Sequence, residues 1–224
     1  MFGKNPIRPP VAGDGQVLEV KSVFATLQGE GPYAGVPAVF IRLGGCNLAC
    51  TFCDTEFEDY TSVALEDLLN DVVAKATHKG KSVRHLIVIT GGEPLRQNIT
   101  PLCEALLAAG FKVQIETNGT LYRPLPTAVE IVCSPKNTGQ GYFPVREDLL
   151  SRINALKFII SKSNTQYGYV PDVGQAERNI PVYVQPMDEY DAARNKENLA
   201  YAAELAMQHG YRMSLQTHKI LGIE

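Results

Sequence analysis

Eight short apolar segments constrain how this chain can fold. A strand-length stretch at residues 17–24 is followed by seven more, at 38–43, 86–90, 112–116, 129–133, 156–160, 181–185 and 212–215. Most are too continuously apolar for half-exposed hairpins, and short runs of this kind suit parallel strands covered on both faces. Helical patterns lie between several of them. Leu65, Leu68, Leu69, Val72, Val73 and Ala76 keep the three-to-four spacing of a buried stripe, closed by Gly80. Thr100 reads as an N-cap with Pro101 at the first helical position, Leu102, Leu106 and Ala109 facing inward, and Gly110 as the stop. A third helix is expected over 195–209, before Gly210.

Strands alternating with helices imply parallel pairing through right-handed crossovers, hence an α/β layer or barrel. The crossovers are uneven. Residues 161–174 carry no helical stripe, and 137–144 are irregular too. A full eightfold barrel takes about 250 residues, more than the 224 present. The expectation is therefore an incomplete, TIM-like barrel of about six parallel core strands with some outer helices missing. Residues 1–16, rich in proline and glycine, read as a mobile arm or edge extension, and 17–224 as one domain.

Composition narrows the class of ligand. A formal charge of -3 offers no overall cationic field for phosphates, which argues against direct nucleic-acid binding and for a small molecule. No apolar run reaches membrane-spanning length, and the first ten residues lack the core of a secretion signal, so a cytoplasmic protein with no membrane contact is expected. Five cysteines, three of them crowded together, do not resemble an extracellular disulfide framework.

Those three are Cys46, Cys50 and Cys53. They supply three soft thiolates on one loop with no obvious fourth ligand, since no histidine lies within twenty residues. Structural zinc wants four donors. Thiolates also suit iron-sulfur clusters, in which a missing ligand leaves one iron open. A zinc knuckle completed by Asp54 or a distant side chain, or plain reduced thiols in an ordinary loop, remain alternatives at this point.

In α/β folds ligands gather where strands end. The run 38–43 leads into Gly44-Gly45 and the cysteine loop, 86–90 into Gly91-Gly92-Glu93-Pro94, 129–133 into Ser134-Pro135-Lys136, and 181–185 into Pro186-Met187. A lone glycine pair is most often a simple βα turn. Following a strand that itself follows the cysteine loop, it carries more weight.

The Cys46-x-x-x-Cys50-x-Phe52-Cys53 loop together with Gly91-Gly92-Glu93-Pro94 resembles the radical S-adenosylmethionine superfamily. Within it, Thr26-Leu27-Gln28-Gly29-Glu30-Gly31, Cys53-Asp54-Thr55, Ser134-Pro135-Lys136 and Gln216-Thr217-His218-Lys219 are similar to the 7-carboxy-7-deazaguanine synthases, over 17–224. The resemblance implies a 4Fe-4S cluster on Cys46, Cys50 and Cys53, its open iron chelated by S-adenosylmethionine, which yields a 5′-deoxyadenosyl radical. Phe52, Cys53, Asp54, Gly92, Glu93, Cys133, Ser134, Pro135 and Gln185 would surround that nucleotide. The implied substrate is 6-carboxy-5,6,7,8-tetrahydropterin, converted with loss of ammonia to 7-carboxy-7-deazaguanine on the route toward queuosine, a tRNA modification.

By the same likeness Arg42 would hold the substrate carboxylate, for which its planar fork is suited. Leu27, Gln28, Gly29 and Glu30 would read the pterin edge, with Thr90 and His218 closing the other sides. Thr55 would be a Mg2+ ligand beside the cluster, substrate and water supplying the remaining oxygens. A flavodoxin- or ferredoxin-type electron donor and a homodimer are further implications. The tail 220–224 would bring its carboxylate near the substrate.

Weaker signals receive no chemistry. Cys103 sits in an amphipathic helix as a small buried hydrophobe, and Asp188-Glu189-Tyr190-Asp191 reads as a solvated loop with at most a minor part in closing the mouth. Two rivals remain, a glycyl-radical enzyme activase acting on protein and a non-catalytic zinc-binding interaction domain. The Gln28-Gly29-Glu30 and Arg42 set favours the pterin.

Overall fold

The computed structural model describes residues 5–137 and 139–223. Its elements in chain order begin with β1 (Val17–Leu27), β2 (Pro37–Leu43), β3 (Thr61–Ala64), α1 (Leu65–Ala76), and a small hairpin of β4 (Thr77–His78) and β5 (Lys81–Ser82). There follow β6 (Leu86–Gly91), α2 (Thr100–Ala108), β7 (Lys112–Thr117), β8 (Glu130–Cys133), α3 (Glu147–Leu150) and β9 (Ala155–Ile160). The chain continues through α4 (Gln175–Arg178), β10 (Val182–Pro186), α5 (Ala192–His209), β11 (Arg212–Met213) and α6 (Thr217–Leu221).

One nine-stranded sheet runs β11-β10-β9-β8-β7-β6-β2-β1-β3. The six central strands from β2 to β10 pair in parallel, two-residue β11 extends them, and β1 and β3 are antiparallel. This is the open, partial barrel of the radical S-adenosylmethionine type. Long helices cover three crossovers, through α1, α2 and α5. Residues 118–129 carry no helix, and short α3 and α4 serve the next two connections.

Strand alternation separates two faces. Val39, Ile41, Leu43, Ile87, Ile89, Val113, Ile115, Leu156, Phe158, Ile160, Val182 and Val184 join the main core that the helices cover. Their alternates Phe40, Arg42, Thr90, Glu116, Lys157, Ile159 and Gln185 line the barrel mouth. Lower in the barrel, Ala38, Leu86 and Val88 with Tyr33 and Phe40 form a plug.

Several local expectations are corrected. Gly80 does not close α1, which ends at Ala76; Gly80 and Lys79, both at positive φ, form the tight turn between β4 and β5. Val73 is exposed, because the buried stripe of α1 is narrower, at Leu68, Val72 and Ala76. Ile99 holds the N-cap position of α2 while the Thr100 hydroxyl donates to the Pro124 carbonyl, and Ala109 is the exposed C-cap. Helix α5 starts at Ala192, where the Asp191 carboxylate accepts from the Arg194 N–H. The segment 188–191 is solvated only in its second half, at Tyr190 and Asp191; Glu189 accepts from Ser161 and Asn198, and Asp188 from Lys219 and Asn195.

The arm is also fastened. The Arg8 N–H donates to the Cys46 carbonyl at 2.7 Å, and the Arg96 and Arg123 guanidinium groups donate to the carbonyls of Pro9 and Val11. Its first residues, 1–4, and the tail carboxylate on Glu224 lie outside the described residues. No helix among the described residues is long and apolar enough to cross a membrane.

Candidate active site

A cavity of about 420 Å³ opens where the parallel strands end. Glycine pairs bring its floor together. After β2 and β6, the turns Gly44-Gly45 and Gly91-Gly92 lie backbone against backbone, with Gly92 N–H donating to Leu43 and Glu93 N–H to Gly45. A Cβ on Gly92 would stand 1.9 Å from the Gly45 carbonyl oxygen, so only glycine permits this approach. The Glu93 carboxylate then accepts from Leu95 N–H, Asn118 N–H and the Thr117 hydroxyl, pinning the end of β7 to the same floor.

Glu93 therefore does not face the cavity. It is fully buried, and burial raises its carboxyl above the ordinary range despite those donors. Cys133 and Pro135 are likewise absent from the lining. Cys133 points outward into the helix-covered core, as alternation dictates for a strand whose next residue, Ser134, points inward. Pro135 is buried behind it. The other positions picked out in the sequence converge on one lining: Leu27, Gln28, Gly29, Glu30, Arg42, Thr90 and His218; Phe52, Asp54, Gly92, Ser134 and Gln185; Cys46, Cys50, Cys53 and Thr55.

The cysteine loop sits in an apolar shell. Leu48, Phe57, Phe52 and Phe143 pack around the three thiols, and Phe52 meets Tyr167 edge-on at 5.0 Å. Burial pushes all three thiols up, Cys46 to about 12, while Lys136 pulls Cys50 and Cys53 back down. Buried thiolates of this kind need a cation to offset their charge, and bound iron supplies it. Among the described residues no three His, Cys, Asp or Glu side chains gather closely enough to hold a single metal ion. Cys46, Cys50 and Cys53 line one cavity, and three thiolates with no fourth protein ligand are the donor chemistry that an iron-sulfur cluster with an open iron takes.

Opposite the cysteines lies a charged group that the sequence reading left unassigned in part. Lys157, buried on β9, pairs with Glu30 and stands 3.6 Å from Glu116 on β7. Burial would raise the Glu30 carboxyl, but the Lys157 ammonium and a bond from Gln216 hold it below its usual range. Burial would likewise lower Lys157, yet Glu116 and Glu30 hold it above the ordinary ammonium value. Gln28 donates to Glu116 at 3.0 Å, and Gln185 and Gln216 donate to Glu30 at 3.2 and 3.0 Å. Glu30 is thus a hub joining β1 to β9, β10 and the C-terminal segment.

At the mouth, Asp54 accepts from Gln216 and Lys219, and Lys219 also reaches Asp188. Burial raises the Asp54 carboxyl, but Lys219 outweighs it and keeps the group below its usual range. The Thr55 hydroxyl donates to Asp54 at 3.3 Å. The Arg42 guanidinium lies over the Phe24 ring, 5.1 Å from its centroid. His218 packs so tightly on Gly29 that a Cβ there would lie 2.1 Å from Nδ1.

Lys157 and Glu116 escaped notice because each sits inside an apolar strand run. Lysine is almost never buried unless paired, so a lysine centred in such a run was the available signal. Lys136, in the Ser134-Pro135-Lys136 motif, lines the cavity and donates to Ser134.

Comparison with known proteins places these features in a family. Residues 40–158 match the model described as the Radical SAM superfamily. The 7-carboxy-7-deazaguanine synthase of Rickettsia prowazekii (strain Madrid E) is 56% identical over 225 residues, covering all of this chain and 96% of that one. The enzyme of the same name from Rhodospirillum rubrum is 44% identical over 242 residues, with both chains fully covered. The crystal structure of QueE from Escherichia coli superposes with a TM-score of 0.70 at 27% identity, covering 89% of this chain and 93% of that one.

Proposed function

Because this chain belongs to the 7-carboxy-7-deazaguanine synthases of the radical S-adenosylmethionine superfamily, we propose that its cavity takes 6-carboxy-5,6,7,8-tetrahydropterin and contracts it to 7-carboxy-7-deazaguanine with release of ammonia. The protein is a radical S-adenosylmethionine enzyme that acts on a small molecule and requires a reductant. When bound, the 4Fe-4S cluster and S-adenosylmethionine supply the 5′-deoxyadenosyl radical that removes a hydrogen atom from the substrate.

The carrying observation is that the cysteine loop, Arg42 and the Gln28-Gly29-Glu30 turn line one cavity. Cys46, Cys50 and Cys53 would hold the cluster. Phe52, Asp54, Gly92, Ser134 and Gln185 would hold the nucleotide, with Lys136 available to its carboxylate. Arg42 would clamp the pterin carboxylate in two parallel bonds. Leu27, Gln28, Gly29 and Glu30 would pair with the pterin's amide and amine edge, flanked by Thr90 and His218. Thr55 would contribute its hydroxyl to Mg2+, a cation that keeps several waters and borrows substrate oxygens.

A cavity of about 420 Å³ falls in the range of small-molecule sites, about 300–1,000 Å³, which favours a pterin over the protein substrate of a glycyl-radical activase. A cytoplasmic homodimer served by a flavodoxin- or ferredoxin-type donor completes the proposal. Anaerobic reconstitution, then incubation with S-adenosylmethionine, Mg2+, a reductant and the pterin, tests it. Ring-contracted product is expected; a reduced, cluster-loaded protein that forms none refutes the assignment.

A further inference from the structure

The cysteine loop has little structure of its own. Among the described residues, one backbone hydrogen bond joins two residues of the span 46–53, the Cys53 N–H donating to the Cys50 carbonyl at 3.2 Å; its other anchors lie outside it, Asn47 accepting from Asn118 at 2.9 Å and donating to Thr120 at 2.8 Å. A loop with so few bonds of its own pays ordering entropy of about 1–2 kcal/mol per residue when it closes on a ligand. Something outside it must hold the three thiols in register.

Beside the Asn47 bonds and the apolar shell, that support comes from the N-terminal arm. Ile7 forms a parallel bridge with Cys46, and the Arg8 N–H donates to the Cys46 carbonyl at 2.7 Å. Three residues earlier in the arm, the Asn5 side-chain amide donates to the Thr55 carbonyl at 3.2 Å and approaches the Cys53 sulfur at 3.9 Å. The arm thus grips the loop at its first thiol and just beyond its third. It is itself tied to the barrel: Arg96 and Arg123 donate to Pro9 and Val11, the Val11 N–H donates to Arg96, and Arg8 pairs with Glu58 at 2.7 Å.

We propose that residues 5–11 are a strap that fixes the span between Cys46 and Cys53, and that the strap sets how long the iron-sulfur cluster is retained. The inference rests on the family reading, since it presumes a cluster on these thiols. Its chemistry is positional. A strap already in place lets the thiols remain around a partly dissociated cluster, so that iron is recaptured before it escapes.

The test uses reconstituted full-length protein held anaerobically with a ferrous chelator, following iron release optically. Three variants are compared: deletion of residues 2–11, Arg8→Pro, and Arg8→Ala. Arg8→Pro removes the N–H that reaches Cys46, whereas Arg8→Ala keeps it and loses the Glu58 pair. Release is expected to rise about fivefold in Arg8→Pro, the equivalent of one net hydrogen bond, and more than about tenfold in the deletion. Arg8→Ala should stay within about twofold of the unaltered protein, an exposed pair contributing little. Circular dichroism of the metal-free proteins shows whether each folds; if the deletion does not, Arg8→Pro decides. Release from folded Arg8→Pro no faster than from Arg8→Ala overturns the strap. Failure of the unaltered protein to take up any cluster refutes the family reading instead.

Discussion

Replacing Lys157 by methionine isolates the buried charge group opposite the cysteines. The ammonium lies 3.6 Å from Glu116 and closer to Glu30, with a side chain only 7% exposed. At an effective dielectric near 20, the attraction to Glu116 alone is about 4–5 kcal/mol, before the cost of burying both charges is subtracted. Removing one partner of such a buried pair leaves an uncompensated charge and costs about 3–5 kcal/mol. In a chain of 224 residues that corresponds to a fall in Tm of about 6–20 °C. Urea unfolding of metal-free protein at pH 7 measures it. The sign with pH follows from Glu30, whose carboxyl is held below its usual range in the folded protein. Its stabilisation is fully present above the ordinary glutamate pKa and is lost as pH falls through the depressed one. In Lys157→Met the Glu30 carboxylate loses the ammonium that holds its pKa down and accepts a proton more readily, so the deficit should shrink as pH drops from 7 toward about 4. Adding Glu30→Gln to Lys157→Met should recover part of the loss. A deficit under about 1 kcal/mol at pH 7, or one that grows on acidification, refutes the account.

Gly92→Ala should abolish stable folding or cluster uptake, since its Cβ meets backbone at 1.9 Å and no side chain can yield; wild-type melting and iron content would contradict that. Gly29→Ala meets the His218 ring at 2.1 Å and the His218 backbone nitrogen at 3.1 Å, so His218 must shift while the rest of the fold should survive, and KM for the pterin should rise about tenfold with a smaller change in kcat, as steady-state kinetics will show. Arg42→Ala should weaken pterin binding about 10- to 150-fold, the worth of a charged hydrogen-bonded contact, without altering cluster content; unchanged affinity by calorimetry would refute the assigned substrate orientation. Removing divalent metal should slow turnover and leave the cluster's absorbance intact, and equal rates with and without Mg2+ would dismiss Thr55 as a ligand.

What the sequence made legible was whatever has a short physical cause. The six central strands announce themselves as runs buried on both faces, the helix over 65–76 by its stripe, and the end of the last long helix by Gly210. Strand β3, at Thr61–Ala64, is polar and mostly exposed, so it carries no pattern and exists only because the start of β1 offers it an edge. Glu93 was set beside the nucleotide by the family resemblance, which does not show that Leu95, Thr117 and Asn118 all donate to its carboxylate. Lys157 shows the converse: its neighbours Leu156 and Phe158 made the run look uniformly apolar, although a period of two sends 157 to the opposite face. The arm looked mobile because proline and glycine say nothing about long-range partners, here Cys46, Arg96 and Arg123.

The manner in which the sheet ends has a consequence for traffic. Strand β1 and strand β11 never exchange backbone bonds; between them the Gly29 carbonyl takes the Thr217 N–H, the Gly31 N–H reaches the Ser214 hydroxyl, and Glu30 meets Gln216. Each such tie is worth about 0.5–1.5 kcal/mol net, so this hem can be unpicked stitch by stitch while the parallel ladder stays whole. A rigid bicyclic guest gains a doorway, and the walls need not bend to admit it.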